Sequence, residues 1–273
     1  MATRTPVPAG EATIPGDGGR PSGGVQSLDR AFAILETMAD AGGIIGLSQL
    51  AERADLPLAT IHRLVRTLVD LGYVRQEPSR QYSLGPRLMR LADLTTKRIG
   101  TWANPHLADA VAQVHESVNL AILDGDEIVY VAQVQPDRNF MRMFTEVGRR
   151  TLPHATAVGK AMLAHRDEAE VRSLLARTGM PRYTEHTLTT PAEFLDVLAR
   201  ARADGYALDE GEQEVGVRCV AVEVPGSPQP MALSMSGPTT RMTDETIRDA
   251  VPVLREAADR IAAELDGNAA TRA

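Results

Sequence analysis

Residues 47–76 read LSQLAERADLPLATIHRLVRTLVDLGYVRQ, and this stretch decides the fold of the first part of the chain. Ser48 is suited to cap a short helix over QLAERA, which ends at DLP. A second helix is predicted next, because its apolar residues recur at three- and four-residue spacing: Ile61, Leu64, Val65, Leu68 and Val69. Two short helices joined by a turn predict a helix-turn-helix unit.

The sequence on either side extends this unit. Upstream, apolar residues from Leu28 to Ala39 follow helical spacing, and AGGIIG breaks the pattern. Downstream, YVRQ and QYSL alternate like short strands around the turn EPSR, which predicts a β-hairpin. Three helices followed by a hairpin predict a winged helix-turn-helix. Residues 87–99 have the pattern of one further helix, which we interpret as a connector.

The second half mixes strands and helices. NLAILDGDEIVYVAQV is two apolar runs joined by an Asp-Gly turn, a hairpin pattern. Further strands are predicted for FMRMFTEV, YALDEGE, GVRCVAVEV and MALSMSG, and helices for TAVGKAMLAH, EAEVRSLLART, PAEFLDVLARARADG and the stretch Ile247–Leu265. This mixture predicts an α+β domain.

The resulting domain organisation has five parts. Residues 1–24 contain six Gly and four Pro with few large apolar groups, so we expect a disordered tail. The remaining predicted parts are the winged helix-turn-helix domain at 25–86, a linker helix at 87–103, an effector-binding domain at 104–266 and a flexible tail at 267–273.

Charge is distributed unevenly along the chain, whose formal net charge is −7. Residues 56–98 hold eight basic side chains against three acidic ones, a net charge of +5. Residues 99–273 hold 17 basic and 26 acidic side chains, a net charge of −9. This asymmetry indicates a nucleic-acid partner for one part of the chain only, although a solvated basic face would have the same composition.

The second helix of a helix-turn-helix enters the major groove and presents its first turns to the base edges. Arg63 is the best candidate for reading guanine, because its guanidinium matches O6 and N7. Arg80, at the predicted wing tip, suits the backbone or the minor groove. The DNA-contact candidates are therefore Ala59, Thr60, His62, Arg63, Arg66 and Arg80.

Several other classes of protein are excluded by what the sequence lacks. There is no apolar run long enough for a membrane span, no signal peptide and a single cysteine, Cys219, so we expect a soluble cytoplasmic protein. Cys219 or Ser234 could be drawn with His154 as a hydrolase nucleophile and base, but no supporting motif accompanies them. We therefore predict no enzyme activity, no catalytic residues, no metal and no cofactor.

Three stretches of the second half suit a small acid. HATAVGKA, with Gly159, Lys160 and Ala161, places small residues at a helix start, where free N–H groups can hold a carboxylate. Ser234 and Ser236 share one face of a strand. The remaining pocket candidates are Asp209, Cys219, Met141 and Met143. Each residue also has an ordinary structural interpretation: exposed serines, a buried thiol, core methionines and a turn-capping aspartate.

These residues also carry a resemblance. The stretches VQSLDRAFAILETMAD, 47–76 and YSLGPRLMRLA resemble the DNA-binding half of the isocitrate-lyase-regulator (IclR) family of bacterial transcription factors, and LPHATAVGKAMLA, GVRCVAVEV and MALSMSGP resemble its GAF-like sensing domain. The resemblance covers about residues 25–266. It implies that Gly159, Ala161, Asp209, Cys219, Ser234 and Ser236 line an effector site. Ala59 replaces a frequent hydroxyl residue, and Gly211 replaces a usual glutamate.

The resemblance implies a one-component regulator that binds double-stranded operator DNA. We expect a homodimer or a dimer of dimers, a pseudo-palindromic operator, association with the nucleoid when DNA-bound, and release by a small carboxylate or ureide. Within the family the chain is similar to repressors of allantoin and glyoxylate metabolism, through SVNLAI, MRM, TGMPRYTEHTL and SMSGPTTRMT. The alternative is a regulator of glycerol, acetate or aromatic-acid catabolism, with another effector or with activator sign.

Overall fold

The computed structural model describes residues 25–99, 101–136 and 145–270. The chain divides into two compact units, and the boundary between Ala92 and Asp93 falls inside one helix. Among the described residues, no helix is both long enough and apolar enough to cross a membrane. The predicted tail at 1–24 lies outside the described residues.

The first unit is a winged helix. Its elements are α1 (Gln26–Asp40), β1 (Ile44–Ile45), α2 (Leu47–Arg53), α3 (Leu58–Asp70), β2 (Val74–Gln76), β3 (Tyr82–Leu84) and the first part of α4 (Arg87–Ile99). The three strands form an antiparallel sheet in the order β1-β3-β2. Helices α2 and α3 are the predicted helix-turn-helix, and β2 and β3 are the predicted wing.

The core of the first unit explains the periodicity of its sequence. The inner face of α3 buries Ile61, Val65 and Leu68, and these side chains join a cluster from α1, α2 and the sheet: Ile34, Met38, Ile45, Leu50 and Val74. Complete burial of such a side chain contributes about 1.5–3 kcal/mol. The apolar side of α3 is therefore held in the core, and its opposite side faces solvent.

Strand β1 was not predicted, because AGGIIG was interpreted only as a helix break. Gly42 and Gly43 have φ values of +82° and +86° and turn the chain after α1. Ile44 and Ile45 then pair with Ser83 and Tyr82. A two-residue strand has no periodicity of its own, and only pairing with β3 makes it a strand.

The second unit is an α+β domain, as predicted. Its strands are β4 (Ser117–Asp124), β5 (Glu127–Val134), β6 (Arg150–Thr151), β7 (Ala207–Asp209), β8 (Val217–Glu223) and β9 (Met231–Pro238). They form an antiparallel sheet in the order β6-β5-β4-β9-β8-β7. Its helices, after the end of α4, are α5 (Asn104–Val114), α6 (Ala157–Leu163), α7 (Glu168–Thr178), α8 (Pro191–Asp204) and α9 (Asp244–Ala270).

The two faces of this sheet differ in chemistry. One face packs in a large apolar cluster with α5 and α9, and its members include Val118, Leu120, Val220, Leu233 and Met235. The other face carries small and polar side chains, because alternate residues of a strand point to opposite sides. Paired positions form two rows on this face: Asp209–Cys219–Ser236–Ser117 and Ala207–Ala221–Ser234–Asn119–Gln133.

Several details differ from the sequence prediction, and one predicted strand lies largely outside the described residues. Helix α5 was not predicted. The linker helix ends at Ile99, and a short 3-10 helix, Thr101–Ala103, precedes α5. The backbone of α9 stays helical to Ala270, past residue 266, where the flexible tail was expected to begin. Most of the strand predicted for FMRMFTEV falls on residues 140–144, outside the described residues, together with Met141 and Met143.

Candidate DNA-contact surface and effector pocket

The outer face of α3 is the predicted reading surface. Ala59, His62, Arg63 and Arg66 are exposed, whereas Thr60 is half-buried at the edge of this face. Arg63 and Arg66 lie three residues apart and therefore on one side of the helix. In the part of the chain that the structure describes, neither guanidinium forms an ion pair. Both are available to base edges or phosphates.

The wing holds two arginines in different states. Arg75 bonds Glu77 at 2.8 Å, and Ser83 donates to the same carboxylate at 2.6 Å. These two hydrogen bonds, that from Ser83 first, lower the pKa of Glu77. Arg80 is exposed in the turn with φ +64°, where its N–H donates to the Glu77 carbonyl at 2.9 Å. Both arginines are exposed, but Arg75 is paired with Glu77, whereas Arg80 forms no ion pair within the described part of the chain.

The guanidinium of Arg87 also makes its contacts within the protein. It donates to the Leu71 carbonyl at 2.8 Å, and its guanidinium lies 5.3 Å from the centre of the Tyr73 ring. These contacts connect the start of α4 to the turn after α3. Part of the positive charge counted in the sequence therefore stabilises the winged helix.

In the second unit, the polar sheet face brings several predicted pocket residues together. Asp209, Cys219 and Ser236 lie opposite one another on β7, β8 and β9. Ser234 and Ser236 are buried, so the interpretation of exposed serines is wrong. The Asn119 side chain donates to Ser234 Oγ at 3.3 Å and to Ser236 Oγ at 3.2 Å.

Sequence reasoning missed Asn119 and Gln133. Gln133 Nε2 donates to Asn119 Oδ1 at 2.8 Å and to Thr145 Oγ1 at 2.9 Å, and it also contacts the Thr145 carbonyl oxygen. The available signal was weak: both are polar residues within otherwise apolar strands. Their pairing depends on the register of β4 with β5 and β9.

Lys160 is almost fully buried, with 1% of its side chain exposed, and pairs with Glu212 at 2.5 Å. Its Nζ also donates to the Leu208 carbonyl at 2.8 Å. A buried charge needs such partners, because its desolvation costs several kcal/mol. Lys160 thus acts first as a structural cation that holds the loop after β7 against α6.

Asp209 is the last residue of β7 and accepts a hydrogen bond from the Glu212 N–H in the following loop at 2.7 Å. Burial raises its pKa to about 7, although Lys160 and the backbone N–H groups oppose this shift. Burial and then the charge of Asp209 raise the pKa of the Cys219 thiol. Cys219 therefore stays protonated at neutral pH, which does not suit a nucleophile.

His154 does not form a catalytic pair with either candidate. It is buried, its Nε2 lies 3.0 Å from the Pro181 carbonyl oxygen, and its ring stacks on Tyr183. Burial, with a smaller effect from Lys160, lowers its pKa, so the ring is neutral and Nε2 carries the donated proton. Among the described residues there is no group of three His, Cys, Asp or Glu side chains able to hold a metal.

Glycine is required at position 159 for a different reason from the one that the sequence suggested. Its N–H already donates to the Thr156 hydroxyl, the cap of α6, at 3.0 Å. A Cβ at this position would lie 2.3 Å from the Pro153 carbonyl oxygen. The glycine therefore admits the preceding turn of backbone rather than a ligand, and its N–H is not free for a carboxylate.

Ala161 points elsewhere. It lines a cavity of about 260 Å³ together with α8, α9 and the end of β8, including His165, Glu223 and Arg255. The serines of β9 do not line this cavity. Asp209, Cys219, Ser234 and Ser236 thus lie on one face of the sheet. Ala161 also belongs to the apolar cluster that contains Cys219, whereas the contacts of Gly159 are with Pro153 and Thr156.

A winged helix with exposed arginines on its reading helix, followed by an α+β domain with a buried polar face, is the arrangement of a DNA-binding transcriptional regulator with a sensing domain. Comparison with known proteins agrees. Residues 27–78 match the IclR helix-turn-helix domain, and residues 92–263 match the C-terminal domain of bacterial IclR transcriptional regulators. The chain belongs to the IclR family of transcriptional regulators, and its matched domains are those of DNA-binding regulators rather than of enzymes.

Relatives cover nearly the whole chain. The transcriptional regulator BhcR of Paracoccus denitrificans is 34% identical, over 89% of this chain and 88% of its own. The acetate operon repressor of Salmonella typhimurium is 34% identical, over 94% and 96%. The repressor AllR of Escherichia coli is 30% identical, over 89% and 91%. Identity therefore does not favour the allantoin type over the others.

Solved structures agree in fold. An IclR homologue from Microbacterium hydrocarbonoxydans, complexed with 4-hydroxybenzoate, has a TM-score of 0.72 and 27% identity, over 88% of this chain and 99% of its own. The IclR of Thermotoga maritima has a TM-score of 0.70 and 28% identity, over 88% and 98%. The predicted fold class is thus confirmed.

Proposed function

We propose that the protein is a repressor that binds a pseudo-palindromic operator through α3 and Arg80 and is released by a small carboxylate bound in the second unit. Arg63 reads a base edge, Arg66 and Arg80 contact phosphates, and Ala59, Thr60 and His62 complete the surface. The observation that carries this proposal is the pair of exposed arginines on α3, which form no ion pair with any residue that the structure describes.

The proposed effector cluster consists of Asp209, Cys219, Ser234 and Ser236, with Gly159, Lys160 and Ala161 supporting it. Met141 and Met143, which lie outside the described residues, remain members predicted from the sequence. Two hydroxyls on a surface of small side chains suit a compact acid. We propose glyoxylate or an allantoin-pathway ureide acid such as allantoate as the effector. A regulator of acetate, glycerol or aromatic-acid catabolism is the second candidate, supported by the likeness to an acetate operon repressor and to a homologue bound to 4-hydroxybenzoate.

The test is a mobility shift of the DNA upstream of the protein's own gene, with and without small molecules. The panel contains glyoxylate, pyruvate, allantoin, allantoate, acetate, glycerol and 4-hydroxybenzoate. Retardation of this DNA, reversed by one carboxylate, is the expected result. Retardation that no carboxylate reverses would contradict the effector class, whereas absence of any specific retardation would contradict operator binding.

A further inference from the structure

The side-chain amides behind the two serines have a fixed polarity. The Thr145 carbonyl oxygen can only accept a hydrogen bond, so the Gln133 atom that faces it must be the amide nitrogen. The same nitrogen faces Asn119 at 2.8 Å, and that Asn119 atom must therefore be the oxygen. The Asn119 nitrogen is consequently the atom directed at Ser234 and Ser236.

This polarity determines what the serines can offer. Asn119 has two N–H groups, and each is directed at one serine oxygen. Each hydroxyl thus accepts from Asn119 and keeps its own proton for donation. Ser236 also contacts the Cys219 thiol, which is a weak acceptor that a carboxylate oxygen readily replaces. The cluster therefore contains two buried hydroxyls, both of which can donate a hydrogen bond.

The charges around the cluster are compatible with an acceptor ligand. Lys160 and Glu212 neutralise each other in a buried pair. Asp209, in the row of Cys219 and Ser236, has its pKa raised to about 7 by burial. A large fraction of Asp209 is therefore protonated near neutral pH, where it offers a further O–H.

We propose that Asn119, held in orientation by Gln133, is a positioning residue that makes this site select a carboxylate over a neutral amide or alcohol of the same shape. The proposal rests on the proposed function, because it takes Ser234 and Ser236 to contact the effector. What it adds is that Asn119, which lies behind Ser234 and Ser236, determines whether the two serines donate hydrogen bonds to the ligand.

The decisive variant is Asn119→Asp. A carboxylate at this position accepts from both serines and still accepts from Gln133, so the serine protons are directed away from the ligand. Binding of the carboxylate from the panel that binds the wild type most tightly, and of its primary amide, is measured by calorimetry. The preference of the wild type for the carboxylate is expected to fall by about 10- to 100-fold, the size of losing one charge-assisted hydrogen bond.

Two further variants separate polarity from other effects. Gln113→Glu adds the same charge in the second unit, at an exposed amide on α5 that donates to the Asp109 carbonyl at 3.2 Å, and it is expected to retain the wild-type preference. Gln133→Glu cannot donate to Asn119 or to the Thr145 carbonyl, so Asn119 turns its oxygen to the serines. This variant is expected to lose the preference as well, which keeps the test decisive if Asn119→Asp does not fold.

The outcomes distinguish the two proposals. A wild type that binds operator DNA but none of the carboxylates contradicts the proposed effector class, and this inference with it. A wild type that prefers the carboxylate, with folded Asn119→Asp and Gln133→Glu variants that keep the same preference, overturns the role of Asn119 alone. Equal loss of preference in Gln113→Glu would assign the effect to charge and would also overturn the role of Asn119.

Discussion

At the scale of single residues, burial changes the chemistry of ordinary side chains in the second unit. Asp209 is surrounded by Lys160, Glu212, Cys219 and the buried Tyr130, whose pKa burial raises well above its ordinary value. The neighbouring Lys160 is buried against the Glu212 carboxylate. In solvent, the same side chains would interact only weakly with one another. The raised pKa of Asp209 therefore depends on the buried environment that the fold creates.

Asp209→Asn tests this environment through the pH dependence of stability. The pKa of Asp209 rises from 3.8 in the unfolded chain to about 7 in the folded one, so the folded state binds the proton more tightly. The associated stability is fully present below pH 3.8 and is lost as the pH rises through 7. The wild type should therefore lose stability relative to the variant, by a few kcal/mol in order of magnitude, across this window.

The measurement is thermal unfolding of both proteins from about pH 4 to pH 8. Asparagine can still accept from the Glu212 N–H through its oxygen, so the comparison isolates the proton. Parallel stability curves for the two proteins would show that Asp209 ionises normally.

At the scale of secondary structure elements, apolar packing fixes the positions of the polar side chains on α3 and α6. Helix α3 buries Ile61, Val65 and Leu68 and exposes Arg63 and Arg66 on the opposite side. Helix α6 is buried along its whole length, and it is capped by Thr156 and packed on the 3-10 turn Pro153–Ala155. In both helices the apolar contacts fix where the polar groups stand.

Arg63→Ala and Arg80→Ala should affect DNA binding differently. Loss of a bidentate contact to a base costs about 1–3 kcal/mol and relaxes specificity at that position. Loss of a phosphate contact from Arg80 weakens all DNA sequences similarly and lowers the salt slope by about one. Operator titrations at several salt concentrations measure both effects. Arg172→Ala, which removes an exposed ion pair with Glu168 at 2.8 Å, is the control; an unchanged operator preference in Arg63→Ala would contradict the assignment.

Gly159→Ala should destabilise α6. The added Cβ would lie 2.3 Å from the Pro153 carbonyl oxygen and 2.5 Å from its Cα, and backbone atoms cannot move aside cheaply. Overpacking of this kind costs about 1–3 kcal/mol or more. Chemical denaturation measures the loss. Gly46→Ala is the matched control, because its Cβ would meet only Gln49 Oε1 at an ordinary 3.6 Å, and equal effects in the two variants would refute the packing argument.

At the scale of the whole molecule, the first unit exposes more apolar surface than a monomer needs. Leu28 and Phe32 lie one turn apart on α1 with 57% and 63% exposure, and Met89 and Leu91 at the start of α4 are 72% and 50% exposed. Such surface usually marks an interaction site. It supports the proposal of a homodimer or a dimer of dimers, which a pseudo-palindromic operator requires.

Phe32→Ser should therefore weaken self-association, because it removes the largest apolar group of this surface. Sedimentation equilibrium should show a dimer dissociation constant at least about tenfold higher, the effect of roughly 1.4 kcal/mol. Val215→Ser, an equally exposed apolar position in the second unit at 68%, should leave association unchanged. A Phe32→Ser variant that associates as the wild type does would place the subunit contact elsewhere.

The sequence by itself determined the order of elements and the class of each unit. Periodicity revealed α3 and α9, the Asp-Gly turn revealed β4 and β5, and the spacing of Ser234 and Ser236 placed them on one face. These signals are local, since helix and strand periods are set by neighbours along the chain. For the same reason β1 and α5, with short or weak patterns, were not predicted.

Only the tertiary structure decided which polar groups bond to other parts of the protein and which are available to a binding partner. Arg75 and Arg87 counted as basic residues in the sequence, but they bond Glu77 and the Leu71 carbonyl, whereas Arg63 and Arg66 remain unpaired in the described part of the chain. Asn119 reaches Ser234 across 115 positions, and Lys160 reaches Glu212 across 52. Partners so distant along the chain are chosen by strand register and helix packing, which no local pattern encodes.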